Sequence, residues 1–315
     1  MSTTENILQR IKEKKALLYK NRPLSKVILN RLTEQLNLEW TYNSNAIEGN
    51  SLTLRETKLL IEQGITIKGK SLREHFEAQN HQHAIEFLSK LVQKSSQITE
   101  NIILNIQTLV LDRIEEDFKG RYRNGRVRII GANFIPPNSR KVPELMKNLV
   151  TWTKKQMNLA NPVTLATHFH HKFVWIHPFF DGNGRTGRLL MNLILMQAGF
   201  PPAIILKNDR FKYYEALNLA NNGNYQKLEL LVAQAVERSL DLHLEACGGY
   251  QSTEYDYISL RDLAKSTPFS QDYLSLLARQ GKIDAFKESR NWVSNPKAIS
   301  DYLQNKRKTS PLASK

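Results

Sequence analysis

Between residues 5 and 39 the apolar positions recur at helical spacing: Ile7, Ile11, Leu17 and Leu18 before Pro23, then Val27, Ile28, Leu32, Leu36 and Leu38 after it. A period near 3.6 residues lines one face of a helix, so this stretch predicts two helices broken at the proline. The same reasoning predicts helices over 54–63, 71–94, 99–117, 141–157, 162–175, 187–198, 211–220 and 225–245. Residues 1–100 thus read as an N-terminal helical region and 101–245 as a larger helical core. One interruption stands at 126–137, where Val127, Ile129 and Ile130 precede Gly131, and Phe134 and Ile135 precede Pro136 and Pro137. Such β-formers around a glycine predict a short β-hairpin flap with an exposed edge, suited to holding an extended peptide.

Beyond the core, Gly248, Gly249 and the polar residues up to Glu254 read as a linker over 246–254. Two short helices at 257–264 and 270–280, two small strands at 281–287 and 291–293 and a helix at 296–304 follow. That order predicts a winged helix-turn-helix over 255–305, with a basic tail over 306–315. Such a module serves DNA binding or protein contact, and a DNA-binding regulator is one functional alternative.

A chain of 315 residues, 41% of them hydrophobic, is long enough for one large domain and a smaller one. The N-terminus carries no signal-like apolar segment, and the longest apolar run, 189–196, is too short to span a bilayer. A cytoplasmic protein with no membrane partner is the expectation. The single cysteine, Cys247, excludes an internal disulfide and a thiolate metal cluster. A net charge of +15 attracts nucleic acid, acidic protein or nucleotide phosphates alike. Lys119, Arg121, Arg123, Arg126, Arg128, Arg140 and Lys141 occur with no acidic residue among them, which reads as a solvated basic surface.

Residues 64–71 match the spacing of a Walker A phosphate loop, but a helical pattern precedes them where that loop needs a strand. They read as a connector. The chemistry concentrates instead in 177–188, His-Pro-Phe-Phe-Asp-Gly-Asn-Gly-Arg-Thr-Gly-Arg, a loop entering an apolar helix. Gly182, Asn183 and Gly184 can curl their N–H groups into an anion-binding nest at the helix start. Arg185 and Arg188 lie three apart and can each fork onto phosphate oxygens. Asp181 supplies a hard oxygen ligand for Mg²⁺ beside those phosphates. His177, a neutral imidazole near pH 7, can take a proton from an attacking hydroxyl. Phosphoryl or nucleotidyl transfer combines these roles. His168, His170 and His171 do not converge with His177 on a helix, so they read as packing groups rather than a metal site.

This segment resembles the signature of the Fic family, His-Pro-Phe-x-Asp/Glu-Gly-Asn-Gly-Arg-x-x-Arg, at every fixed position, and the likeness extends over roughly 43–237. The resemblance implies an all-α Fic-type core and an Mg²⁺- and ATP-dependent protein adenylyltransferase, moving AMP to a Ser, Thr or Tyr hydroxyl of another protein or of itself. It makes His177 the base, Asp181 the metal ligand, and Gly182, Asn183, Gly184, Arg185 and Arg188 the phosphate site. Tyr213, Tyr214 and Asn221 would line the adenine or ribose pocket. Ser44-Asn45-Ala46-Ile47-Glu48-Gly49 resembles the family's inhibitory motif, in which Glu48 would form a two-pronged ion pair with Arg188 where the γ-phosphate must lie. Family members of this kind also remove AMP, with the inhibitory glutamate positioning water, and a homodimer is implied.

Overall fold

The computed structural model describes residues 3–20, 26–129, 131–247, 257–288 and 291–309. Helix α1 (Thr3–Lys20) and helix α2 (Lys26–Ile47) lie on either side of the segment with Pro23, which is outside the described residues. Helix α2 continues beyond residue 39 to Ile47, which puts Ser44 on its last turn. Helix α3 (Leu54–Gln63) opens on a capping box of Thr53 and Glu56 and closes at Gly64, whose φ of 66° suits glycine. Helix α4 (Leu72–Gln93) opens on a second box of Ser71 and Glu74. Residues 64–71 therefore join two capped helices, with no strand leading into them.

Helix α5 (Glu100–Val110) is shorter than its pattern suggests. Arg113 takes a left-handed φ of 58°, and its N–H bonds the Glu116 carboxylate at 3.0 Å in place of a helical carbonyl. Helices α6 (Val142–Gln156), α7 (Pro162–Ile176), α8 (Asn183–Gln197), α9 (Arg210–Ala220) and α10 (Gln226–Ala246) complete the core.

The flap is a loop: no strand forms among the described residues of 126–137, and Ile130 lies outside them. Asn218 on α9 takes two groups that a hairpin ladder would use. Its Oδ1 accepts the Asn133 N–H at 3.4 Å, and its Nδ2 donates to the Gly131 carbonyl at 3.2 Å. Pro136 and Pro137 have no N–H to contribute.

The core centres on α8, which is buried along almost its whole length between α7 and its neighbours. Gly187 permits this closeness, because a Cβ there would meet His170 Nδ1 at 3.0 Å and Phe173 and Val174 at 3.1 Å. Helix α1 inserts Ile7, Ile11 and Leu18 into the same core and lies along α10. Their contact also carries charge: Arg10 and Lys14 each reach Glu237 at 2.9 Å, and Lys14 reaches Asp241 at 2.7 Å.

The C-terminal module runs β1 (Ile258–Ser259), α11 (Leu260–Ser266), α12 (Gln271–Arg279), β2 (Ala285–Glu288), β3 (Asn291–Ser294) and α13 (Pro296–Thr309). Its sheet is antiparallel in the order β1-β3-β2, with Ala285 and Ile258 both opposite Ser294. Leu260, Leu263, Leu274, Leu277, Ile283 and Ile299 form its own core. Helix α13 extends beyond residue 304, so 306–308, expected in the tail, are helical. Residues 248–254 of the expected linker, 255–256 at the start of the expected module and 310–315 of the tail lie outside the described residues. Asp284 joins the module to the core through Arg10, Tyr257 donates to Glu237 at 3.3 Å, and Lys212 of α9 lies 3.8 Å above the Trp292 ring. Among the described residues, no helix is long and apolar enough to cross a membrane.

Candidate active site

The turn between α7 and α8 is built by its own residues. His177 caps α7 with φ 50° and ψ 61°, a left-handed conformation that turns the chain sharply away from the helix axis. Gly182 repeats the left-handed turn at φ 80°, directly before α8. Asn183, the first residue of α8, closes the loop: its Oδ1 accepts the Phe179 N–H at 3.0 Å, and its Nδ2 donates to the Phe179 carbonyl at 2.9 Å. The Asn183 side chain is thus engaged by the loop, and only its backbone N–H, with those of Gly184 and Arg185, faces out of the first helical turn without an intrahelical acceptor.

His177 Nδ1 lies 3.3 Å from the Val174 carbonyl, so the ring holds its proton there and leaves Nε2 as an acceptor. Burial pushes this imidazole down to about 4, a stronger effect than the Val174 bond or the carboxylates of Glu48 and Asp181. It is neutral at pH 7.

Arg123, from the middle of the basic run, is not a solvated surface group. It is 2% exposed and fixes the site from below. Its Nε donates to the His177 carbonyl at 2.7 Å, its Nη1 to Gly125 at 3.0 Å and its Nη2 to Pro137 at 2.5 Å, while its N–H bonds the Pro178 carbonyl at 2.8 Å. One guanidinium thereby ties both ends of the flap to the histidine turn. A guanidinium has enough donors for this, but Arg121, Arg126 and Arg128 carry the same group, so nothing in the sequence distinguishes Arg123 from them.

Arg188 has a side chain 3% exposed and meets Glu48 through one contact, Nη2 to Oε1 at 2.8 Å. The expected two-pronged pair does not form: Nε is turned to Ser44 Oγ at 3.1 Å, Nη2 is shared with the Ser44 carbonyl at 2.8 Å, and Nη1 does not reach Glu48. Burial acts to lower the Arg188 pKa, but Glu48 holds it above its ordinary value. A Cβ on Gly184 would collide with the Glu48 carboxylate, so glycine is the residue that lets Glu48 sit over the start of α8. Arg185 runs between Glu77 Oε1, 3.3 Å from Nη1, and Asp181 Oδ1, 3.5 Å from Nη2. Arg188 Nη1 and Arg185 Nε are buried without a hydrogen-bond partner, and Arg185 Nη1 has only its ion pair with Glu77. Orphaned guanidinium donors beside free helix N–H groups fit phosphate oxygens.

Asp181 holds the Gly182 N–H at 2.5 Å and is paired with Arg73 of α4 at 2.5 Å. Arg73 also reaches Glu77 and Glu115, both at 3.3 Å. The carboxylate fits one Mg²⁺ ligand once Arg73 yields it, and no cluster of three metal-type ligands exists among the described residues. Arg73 and Glu77 escaped the sequence reading because their relevance arises from the packing of α4 on α8, not from spacing in the chain.

The remaining candidates lie behind the site. Tyr213 is 1% exposed, bonded to His170 at 2.6 Å and 5.9 Å beneath Arg188, so it supports that arginine and offers no free edge. Tyr214 lies under Arg210, and both reach the Ile47 carbonyl that ends α2, at 3.4 and 2.6 Å. Asn221 links His171, at 2.9 Å, to Asn133 of the flap, at 3.1 Å. His168 pairs with Glu229 at 2.7 Å, and the three histidines of α7 each have separate partners.

An all-helical core thus carries a histidine turn, a glycine-bordered helix start and two buried arginines, a donor set with the chemistry that phosphate oxygens require. The Fic/DOC family model matches residues 97–195, which contain that turn. The protein adenylyltransferase Fic of Nematostella vectensis is 38% identical over 242 residues, covering 76% of this chain and 56% of the relative. The structure of Fic-1 (residues 134–508) from C. elegans superposes with a TM-score of 0.72 at 32% identity, over 78% of this chain and 73% of that one. A Fic-domain signaling protein from Bacteroides thetaiotaomicron superposes at 0.71 with 27% identity, over 78% of this chain and 100% of that one. The chain belongs to the Fic/DOC family. It spans about half the length of the curated relatives it matches.

Proposed function

We propose that the protein transfers AMP from ATP to a hydroxyl side chain of a target protein, with Glu48 as a built-in brake. The observation that carries this reading is the pairing of a buried, neutral His177 with orphaned guanidinium donors on Arg185 and Arg188 at one helix start. His177 Nε2 takes the proton of the target hydroxyl as its oxygen bonds the α-phosphorus. The bond from that phosphorus to the α–β bridging oxygen breaks, and pyrophosphate leaves. The N–H groups of residues 183–185, with Arg185 and Arg188, hold the phosphates and carry the charge that develops on them. Mg²⁺ on Asp181 would neutralise phosphate charge. Arg188 supports phosphate binding only after Glu48 releases it, which is the basis of the brake.

Incubation of wild type, Glu48→Gly and His177→Ala with Mg²⁺ and α-labelled ATP tests this reading by intact mass. The expected result is an AMP increment on protein, about tenfold faster in Glu48→Gly, as a loss of roughly 1.4 kcal/mol of braking gives, and absent in His177→Ala. Equal rates in wild type and Glu48→Gly remove the brake. Glu48 is 32% exposed at the rim, which favours AMP removal as the second reading, with Glu48 orienting water; release of AMP from a modified protein by wild type but not by Glu48→Gly identifies it. The order of the C-terminal elements supports a winged helix-turn-helix. A DNA-protection signal lost on deleting 255–315 would assign it to DNA, and sedimentation of the full chain tests the implied homodimer.

A further inference from the structure

The basic run around the flap divides once it is placed in the fold. Lys119 is neutralised by Asp112 at 3.0 Å and Glu116 at 2.6 Å, and Arg123 is buried under the histidine turn. The other five, Arg121, Arg126, Arg128, Arg140 and Lys141, are exposed, and among the described residues none makes an ion pair. Unpaired like charges repel one another, so a surface that keeps five of them on one loop and its edges is complementary to an anionic partner. Arg123 fixes where that surface lies. It binds the carbonyls of Gly125 and Pro137, next to Arg126 and close to Arg140, and the carbonyl of His177. Asn218 and Asn221 tie the loop's tip to α9. Ile135 projects from the same loop at 88% exposure beside two prolines, an exposed apolar side chain on the segment that carries the cations.

We propose that this surface selects its target by acidity: the hydroxyl presented to His177 belongs to a segment of a protein rich in Asp and Glu, with an apolar residue seated at Ile135. The inference rests on the AMP-transfer reading and adds to it the class of substrate. A segment held by side-chain charge needs no strand pairing, which agrees with a flap that forms no ladder. DNA shares the anionic character, but it does not supply a hydroxyl-bearing side chain beside His177 or an aliphatic partner for Ile135.

The experiment uses short labelled peptides, each with one tyrosine and one leucine and flanked by glutamates, glutamines or lysines. Binding is read by fluorescence polarisation and AMP transfer by mass, with wild type, Glu48→Gly, and each of these carrying Arg126→Glu and Arg128→Glu. The expected result is binding of the glutamate peptide roughly tenfold tighter than its glutamine form at low salt, a gap that closes as salt rises. The charge-reversed enzyme is expected to prefer the lysine peptide, with unchanged affinity for ATP. Equal binding of all peptides, or a preference that survives charge reversal, overturns the proposal. A labelled DNA duplex bound through Arg126 and Arg128 while no peptide binds also overturns it, in favour of nucleic acid. If the glutamate peptide binds as expected and no peptide acquires AMP, the surface stands and the transfer reading fails.

Discussion

His177 adopts a left-handed backbone that costs an L-residue about 1 kcal/mol, and in return its ring is aimed and its tautomer set by Val174. Because burial holds the imidazole at about 4, kcat/KM for AMP transfer is expected to stay flat on the acid side until pH falls through about 4, where the base takes up a proton. An acid limb near the ordinary histidine value of about 6.5 would show that the ring titrates as an exposed group. The residue types at this site were legible from 177–188 alone, since glycine, arginine and histidine there state their own chemistry. Their supports were not. Arg123 reads as one more cation in a basic run, and only the fold reveals the backbone carbonyls around it. Tyr213 and Asn221 read as ligand contacts, and their contacts to Arg188 and to the flap have no signature in the sequence.

Helix α2 ends at Ile47, one residue before Glu48, and its terminal carbonyl is held by the Arg210 guanidinium at 2.6 Å. A cation at a helix C-terminus contributes about 0.3–1 kcal/mol, so Arg210→Ala is expected to loosen residues 44–49 and raise AMP transfer roughly two- to fivefold. Hydrogen exchange at those residues is the direct measurement. On the Glu48→Gly background the same change is expected to add nothing, and a further increase there would separate Arg210 from the brake. The helices themselves were largely readable from periodicity, as α3 shows with its capping box and terminal glycine. Errors fell where side chains compete with backbone pairing: Glu116 at the end of α5 and Asn218 beneath the flap. Neither contact has a signature in local hydrophobic pattern.

At the scale of the molecule, three carboxylates, Glu237, Asp241 and Asp284, face two cations, Arg10 and Lys14, with the Tyr257 hydroxyl among them. Burial raises Asp241 to about 7, well above its value in an unfolded chain, and the neighbouring Glu237 adds to the rise. The folded state therefore keeps a proton that the unfolded state has lost, so this contribution is complete at low pH and disappears as pH rises through about 7. The unfolding free energy of wild type minus that of Asp241→Asn, read by denaturant titration, is expected to fall between about pH 4 and 7, with a limiting slope near 1.4 kcal/mol per pH unit. A difference that does not vary with pH would show that Asp241 is ionised throughout. The long-range pairing of α1 with α10 was invisible in the sequence, because nothing local links Arg10 to a glutamate 227 residues away. That separation bears on synthesis. Helix α1 leaves the ribosome well before α10 and meets its counterpart only when the core is nearly complete, so Ile7, Ile11 and Leu18 stay bare until α10 emerges, and a nascent chain cut short before α10 presents them to chaperones and proteases.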